Sequence, residues 1–176
     1  MFQISRLTDA DLNHRVEASL RELLADAFDG DFSNEDWKHT YGGLRFLGYL
    51  EKEIVAHGSV IERSVQIDGE DAKIGYVEGL AVAPMYWRRG FGSNLMAEIT
   101  SYCRTTFLFS MLSTGEKNFY RKQGWLDFKG ESYVLRNGAE IRTLEEDEGL
   151  MYLPQSVKDK SSLTKVVCEA RSGDDW

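Results

Sequence analysis

The residues Tyr86-Trp87-Arg88-Arg89-Gly90-Phe91-Gly92-Ser93-Asn94-Leu95 carry the clearest chemistry in the chain. Two adjacent guanidinium groups can give charge-assisted hydrogen bonds to phosphate oxygens. Gly90 and Gly92 have no Cβ, so an anion can approach the backbone closely there. A helix opening at this point would aim its first, intrahelically unpaired N–H groups and its positive dipole end at that anion. The pattern is not a dinucleotide fingerprint, because the third glycine would fall on Leu95. Nor is it a Walker loop, since the Lys-Ser/Thr pair is missing. A second kind of chemistry lies in the acids. Asp26, Asp29, Asp31, Glu35 and Asp36 fall within eleven residues without a base, Glu145-Glu146-Asp147-Glu148 are consecutive, and Asp174 and Asp175 precede Trp176, whose terminal carboxylate adds charge. Such clusters suit a cationic ligand.

These groups need elements to hold them. Gln3–Leu7 alternates as a strand, and residues 13–27 carry Val16, Leu20, Leu23, Leu24 and Ala27 at helical spacing behind an Asn13 cap. Ser33 caps a short helix over 35–41 that Gly42-Gly43 stops. Residues 45–50 and 54–62 read as a hairpin around Glu51-Lys52-Glu53, and Asp68-Gly69 as a second hairpin turn leading into a strand over 74–82. A helix over 90–105 then follows the arginine–glycine segment, with Leu95, Met96, Ile99 and Tyr102 on one side. After it come a buried strand over 107–112, a short helix over 116–123 stopped by Gly124, and strands near 133–135, 150–153 and 164–170. The order predicts an α+β fold with a mixed, mostly antiparallel sheet, helices on its faces, and one parallel crossover.

Composition sets the frame. A chain of 176 residues, 42% hydrophobic, is expected to form one domain with a real core. Its net charge of −8 argues against general nucleic-acid binding, which needs clustered Lys and Arg. The charge is uneven. Residues 88–129 hold seven bases against three acids, a net of +4 that leaves −12 for the rest. No apolar run reaches membrane-spanning length, and the first residues lack a signal-peptide layout, so a cytoplasmic protein with no membrane partner is expected. Cys103 and Cys168 form no C-x-x-C motif and read as free thiols in the core. His14, His39 and His57 show no metal-ligand spacing, so no metal is expected.

The arginine–glycine segment resembles the pyrophosphate loop of the GNAT superfamily of N-acetyltransferases, Gln/Arg-x-x-Gly-x-Gly/Ala. The Gln/Arg position falls on Trp87, a departure that bears on that one side chain and not on the backbone cradle. Residues 118–125, Asn-Phe-Tyr-Arg-Lys-Gln-Gly-Trp, resemble the family's Leu-Tyr-x-x-x-Gly-Phe segment. A narrower resemblance runs over nearly the whole chain. Phe28-Asp29-Gly30-Asp31-Phe32-Ser33, Asp36-Trp37-Lys38-His39-Thr40, Gly42-Gly43, Gly75-Tyr76-Val77-Glu78-Gly79 and the ending Arg171-Ser172-Gly173-Asp174-Asp175-Trp176 are similar to aminoglycoside 2′-N-acetyltransferases.

That resemblance implies a GNAT fold over residues 1–176, a homodimer, acetyl-CoA as co-substrate, and an aminoglycoside or similar polycationic amine as acceptor. It places the acetyl-CoA contacts on Leu80, Val82, Arg88, Arg89, Gly90, Phe91, Gly92 and Ser93. The acceptor contacts fall on Asp31, Asp36, Ser113, Glu146, Asp174 and Trp176. It makes Glu78 the general base, working through a water, with the Trp176 carboxylate sharing that task. Tyr120 donates a proton to the leaving sulfur, and N–H groups near Leu80 polarise the thioester carbonyl. Transfer is expected to be direct, with resistance to aminoglycosides as the consequence. Two readings stay open beside it: a GNAT enzyme for another cationic amine, such as a polyamine or cell-envelope sugar, and a non-catalytic module that binds acyl-CoA or polycations.

Overall fold

The computed structural model describes residues 1–156 and 163–176. The described chain packs as two compact units. One is Met1–Ile61 with Val77–Ile99; the other is Glu62–Tyr76 with Thr100–Trp176.

The first unit begins with β1 (Phe2–Thr8), α1 (His14–Ala27), α2 (Asn34–His39) and β2 (Gly43–Leu50). It also holds residues 53–61 of β3 (Glu53–Ile67), residues 77–82 of β4 (Glu70–Val82) and residues 91–99 of α3 (Phe91–Thr106). Asn13 starts α1 by accepting hydrogen bonds from the N–H groups of Arg15 and Val16, the contact the sequence suggests. The strand order is β1-β2-β3-β4, with β1–β2 and β2–β3 antiparallel. The apolar face of α1 (Leu20, Leu23, Leu24) packs with Trp37 of α2, Leu47 of β2 and Ala81 of β4. Helical spacing in the sequence thus becomes one continuous core.

The second unit adds β5 (Phe109–Ser113), α4 (Lys117–Arg121), β6 (Leu126–Asp127), β7 (Glu131–Arg136), β8 (Ala139–Arg142), β9 (Leu150–Pro154) and β10 (Lys165–Glu169). Its strand order is β6-β9-β5-β4-β3-β10-β7-β8. The pairs β4–β5 and β7–β10 are parallel; the other registered pairs in this unit are antiparallel. The mixed, mostly antiparallel α+β architecture read from the sequence is therefore the one observed, with one parallel pair more than the single crossover. Asp68-Gly69 makes the hairpin turn between β3 and β4, both residues at positive φ (51° and 90°). The Asp68 side chain also accepts from the N–H groups of Thr164 and Lys165 at 3.0 and 2.8 Å, which ties the turn to β10.

Candidate active site

The phosphate-type cradle is built in the first unit. β4 ends at Val82, Pro84–Tyr86 form a 3-10 turn, and the backbone then rises through Arg88 (φ 61°) and Gly90 (φ 82°) into α3. The first intrahelical bond here is Asn94 N–H to the Gly90 carbonyl at 3.0 Å, so the N–H groups of residues 91–93 precede the helical ladder. A Cβ built on Gly90 would meet nothing within 4 Å, so the torsion and not a clash demands glycine there, and the space above the turn is open. Arg88 and Arg89 are exposed, with the Arg89 guanidinium over the Tyr86 ring at 5.3 Å. Open space, two exposed cations and a helix start fit a pyrophosphate. Trp87 has work of its own: its indole N–H donates to the Val82 carbonyl at 2.6 Å, pinning the loop to the end of β4.

Upstream on β4, Glu78 and Leu80 are half-buried and flank Gly79, which takes a positive φ of 57° inside the strand. The Glu78 carbonyl accepts from the Ser59 hydroxyl at 3.3 Å, and the Gly79 carbonyl pairs with His57 Nδ1 at 2.7 Å. Asp31 is exposed on the connection between α1 and α2. Asp36 closes a capping box with Ser33: its carboxylate accepts from Ser33 N–H at 2.7 Å, and Ser33 Oγ accepts from Asp36 N–H at 3.1 Å. One carboxylate oxygen of Asp36 is therefore committed to starting α2.

In the second unit the acids of 145–148 divide by role. Asp147 is structural. It accepts from Ser132 N–H and hydroxyl at 3.0 and 2.7 Å and pairs with Arg142. Burial alone would push its carboxyl up, but the bonds from Arg142 and Ser132 outweigh that and hold it low. Glu146 has the opposite environment. Burial, then Asp174 and Glu145, push its carboxyl above the usual range, with only a hydrogen bond to Ser113 pulling it back. Ser113, Glu146 and Asp174 are thus brought together, as a half-buried acid beside a second acid and a hydroxyl.

The end of the chain is held, not frayed. Asp175 accepts from Arg171 N–H at 3.0 Å and from Arg136 at 2.8 Å. Trp176 is 4% exposed; its indole N–H donates to Thr143 Oγ1 at 3.2 Å, and its ring lies 5.7 Å from the Arg63 guanidinium. Tyr120 is buried on α4, packed edge-on against Phe119 and Trp125. Burial pushes its phenol up to about 12, against a hydrogen bond from Thr114, so it holds its proton across the physiological range. Cys103 and Cys168 are buried and pushed to about 11, again by burial, so neither is a ready nucleophile. Among the described residues no group of three His, Cys, Asp or Glu could hold a metal ion, and no helix is long and apolar enough to cross a membrane.

Sequence reasoning missed Arg45 and His57, both fully buried and mutually bonded at 3.2 Å. The available signal was a polar residue in each of two apolar strands that pair with one another.

Comparison with known proteins gives four findings. Residues 5–126 match the acetyltransferase (GNAT) domain model. The chain is 29% identical over 172 residues to an aminoglycoside 2′-N-acetyltransferase of Mycolicibacterium fortuitum, covering 95% of this chain and 88% of that one. Its fold matches a GNAT family N-acetyltransferase (YhbS) from Escherichia coli, solved in complex with CoA, at a TM-score of 0.68 and 14% identity over 95% of this chain and 89% of that one. Larger relatives share the fold too: a GCN5-related N-acetyltransferase from Anabaena variabilis matches at a TM-score of 0.61 and 15% identity over 74% of this chain, which spans only about a third (33%) of that protein. With the family model covering well over half of its residues, the chain belongs to the GNAT family of acetyltransferases.

Proposed function

We propose that the protein transfers the acetyl group of acetyl-CoA to the 2′-amine of aminoglycosides, and that resistance to these drugs is the result. The observation that carries the acceptor class is the setting of Glu146. Its neighbours are Asp174, Glu145 and Ser113; burial first, and then the two acids, raise its proton affinity, and no cation neutralises it among the causes of that shift. Such a cluster gains most from a ligand carrying several ammonium groups. The likeness to an aminoglycoside 2′-N-acetyltransferase over 95% of the chain supports the same class.

The donor supplies an activated acyl group as a thioester. Arg88, Arg89 and the N–H groups of Phe91, Gly92 and Ser93 hold its pyrophosphate, while Leu80 and Val82 offer backbone groups to the pantetheine arm. The Leu80 N–H polarises the thioester carbonyl. Asp31, Asp36, Ser113, Glu146 and Asp174 orient the polycation. An alkylamine near neutral pH is mostly protonated, so attack needs a proton acceptor, and Glu78 takes that proton through a water. Tyr120, fully protonated, gives its proton to the departing sulfur. With both thiols buried and protonated, transfer is direct within a ternary complex. We further propose a cytoplasmic homodimer.

The test is thiol release from acetyl-CoA with aminoglycosides bearing a 2′-amine (tobramycin, gentamicin) and with those bearing a 2′-hydroxyl (kanamycin A, amikacin). Turnover confined to the first group is expected. Turnover with both, or binding without turnover, would overturn the reading.

A further inference from the structure

Arg45 and His57 are both 0% exposed, and neither has a part in the chemistry above. The Arg45 side chain on β2 is held by Asp9 (Nε to Oδ1, 3.3 Å) and by Thr40 (Nη1 to Oγ1, 2.8 Å). The rings of Trp37 and Tyr41 lie 5.0 and 4.5 Å from its guanidinium carbon. The same Nη1 lies 3.2 Å from His57 Nε2. A guanidinium has no acceptor atom, so His57 Nε2 must accept. The imidazole proton therefore resides on Nδ1, which donates to the Gly79 carbonyl at 2.7 Å. A second proton would point Nε2–H at the guanidinium. Burial, with Arg45 adding to it, keeps the ring neutral, against the pull of the Gly79 bond. The other charged groups nearby are Asp9 and Glu17, which face Arg45, and Glu78, next to Gly79 on β4.

The receiving end is as constrained as the donating end. Gly79 stands at φ 57°, and a Cβ there would lie 3.2 Å from Thr40 Cγ2 and 3.3 Å from His57 Cε1. The carbonyl of the preceding residue is held by Ser59, so two consecutive carbonyls of β4 are gripped by side chains of β3. Because the peptide is planar and trans, the Gly79 carbonyl and the Leu80 N–H are opposite edges of one rigid plate. Fixing the first fixes the second. We propose that Arg45 and His57 form a latch that holds the Gly79–Leu80 peptide in the one orientation in which the Leu80 N–H can polarise the thioester, making both residues positioning residues for acyl transfer. This rests on the role given to Leu80 above.

The test has three readouts. Imidazole 15N NMR of the wild-type protein should show Nδ1 protonated and Nε2 unprotonated from about pH 5.5 to 8; the opposite tautomer, or titration near the ordinary histidine value, overturns the latch. The infrared carbonyl stretch of bound 13C-acetyl-CoA should be red-shifted in wild type and in His57→Gln, whose amide can accept from Arg45 and donate to Gly79, but solution-like in His57→Phe. An unchanged red shift in the phenylalanine variant overturns it. In that variant kcat should fall about 100-fold, the cost of losing one oxyanion donor, with acetyl-CoA affinity unchanged, and glutamine should restore most of the rate. Parallel losses in both variants, tracking lost stability, would mark a purely structural role. If no acceptor is turned over at all, the functional reading fails, while the first two readouts still decide the latch.

Discussion

Burying a neutral histidine against an arginine should leave a pH signature in stability. His57 is pushed down to about 4 from 6.5, chiefly by burial. In the unfolded chain it takes up a proton near 6.5; in the folded chain it resists doing so until about 4. The unfolded state therefore binds more protons throughout that interval, and stability falls with falling pH across it. Above 6.5 the contribution is fully present, and below about 4 it is gone. At about 1.4 kcal/mol per pH unit, the loss between about pH 7 and pH 4.5 comes to about 2 kcal/mol from this residue alone. Carboxylates also titrate in acid, so the comparison must be with His57→Gln, which keeps the polar contacts and removes the titration. Urea unfolding at the two pH values measures it. Wild type should lose about 2 kcal/mol more than the variant, a midpoint difference of about 1 M at a slope of roughly 2 kcal/mol/M. Equal acid losses in the two proteins would refute the buried neutral pairing with Arg45.

Four further outcomes are expected. Glu78→Gln should depress turnover more near neutral pH than at high pH, where the amine sheds its own proton; a wild-type pH profile would remove Glu78 from the chemistry. Tyr120→Phe should lower kcat by about 100-fold with acetyl-CoA affinity held, and a loss of affinity instead would make Tyr120 a packing residue. Gly90→Val, which forces a β-branched residue into φ 82°, should raise the KM for acetyl-CoA about 10-fold without changing the KM for the acceptor. Glu146, raised by burial and by Asp174, is the acceptor-site acid expected to protonate early as pH falls, so the acceptor KM should rise on the acid side in wild type and lose that limb in Glu146→Gln.

Much of this was legible in the chain. The Asn13 and Ser33 caps, the Asp68-Gly69 turn and the Gly90 helix start depend on local chemistry, and each lies within a residue or two of its expected place. The strands β6 and β8 were missed for different reasons. The first is two residues long and is made only by its pairing with β9. The second follows Asn137-Gly138, a hairpin signal that was there to be read, with both residues at positive φ. The polar partners were the least legible. Asp147 and Glu146 are adjacent acids in one run, yet one anchors Ser132 and Arg142 while the other meets Asp174 and Ser113. Nothing in the run distinguishes them, because the choice is made by residues outside it, from Arg142 five residues before Asp147 to Ser113 and Asp174 far along the chain. His57 and Arg45 likewise gain their meaning only when β2 and β3 pair.

The central claim concerns which nitrogen receives the acetyl group. Incubating the protein with tobramycin and 13C-labelled acetyl-CoA, then locating the label by heteronuclear NMR, decides it most directly. The account predicts a single product whose labelled carbonyl couples to the proton on the 2′-nitrogen. Label on any other amine, or none transferred, would contradict it.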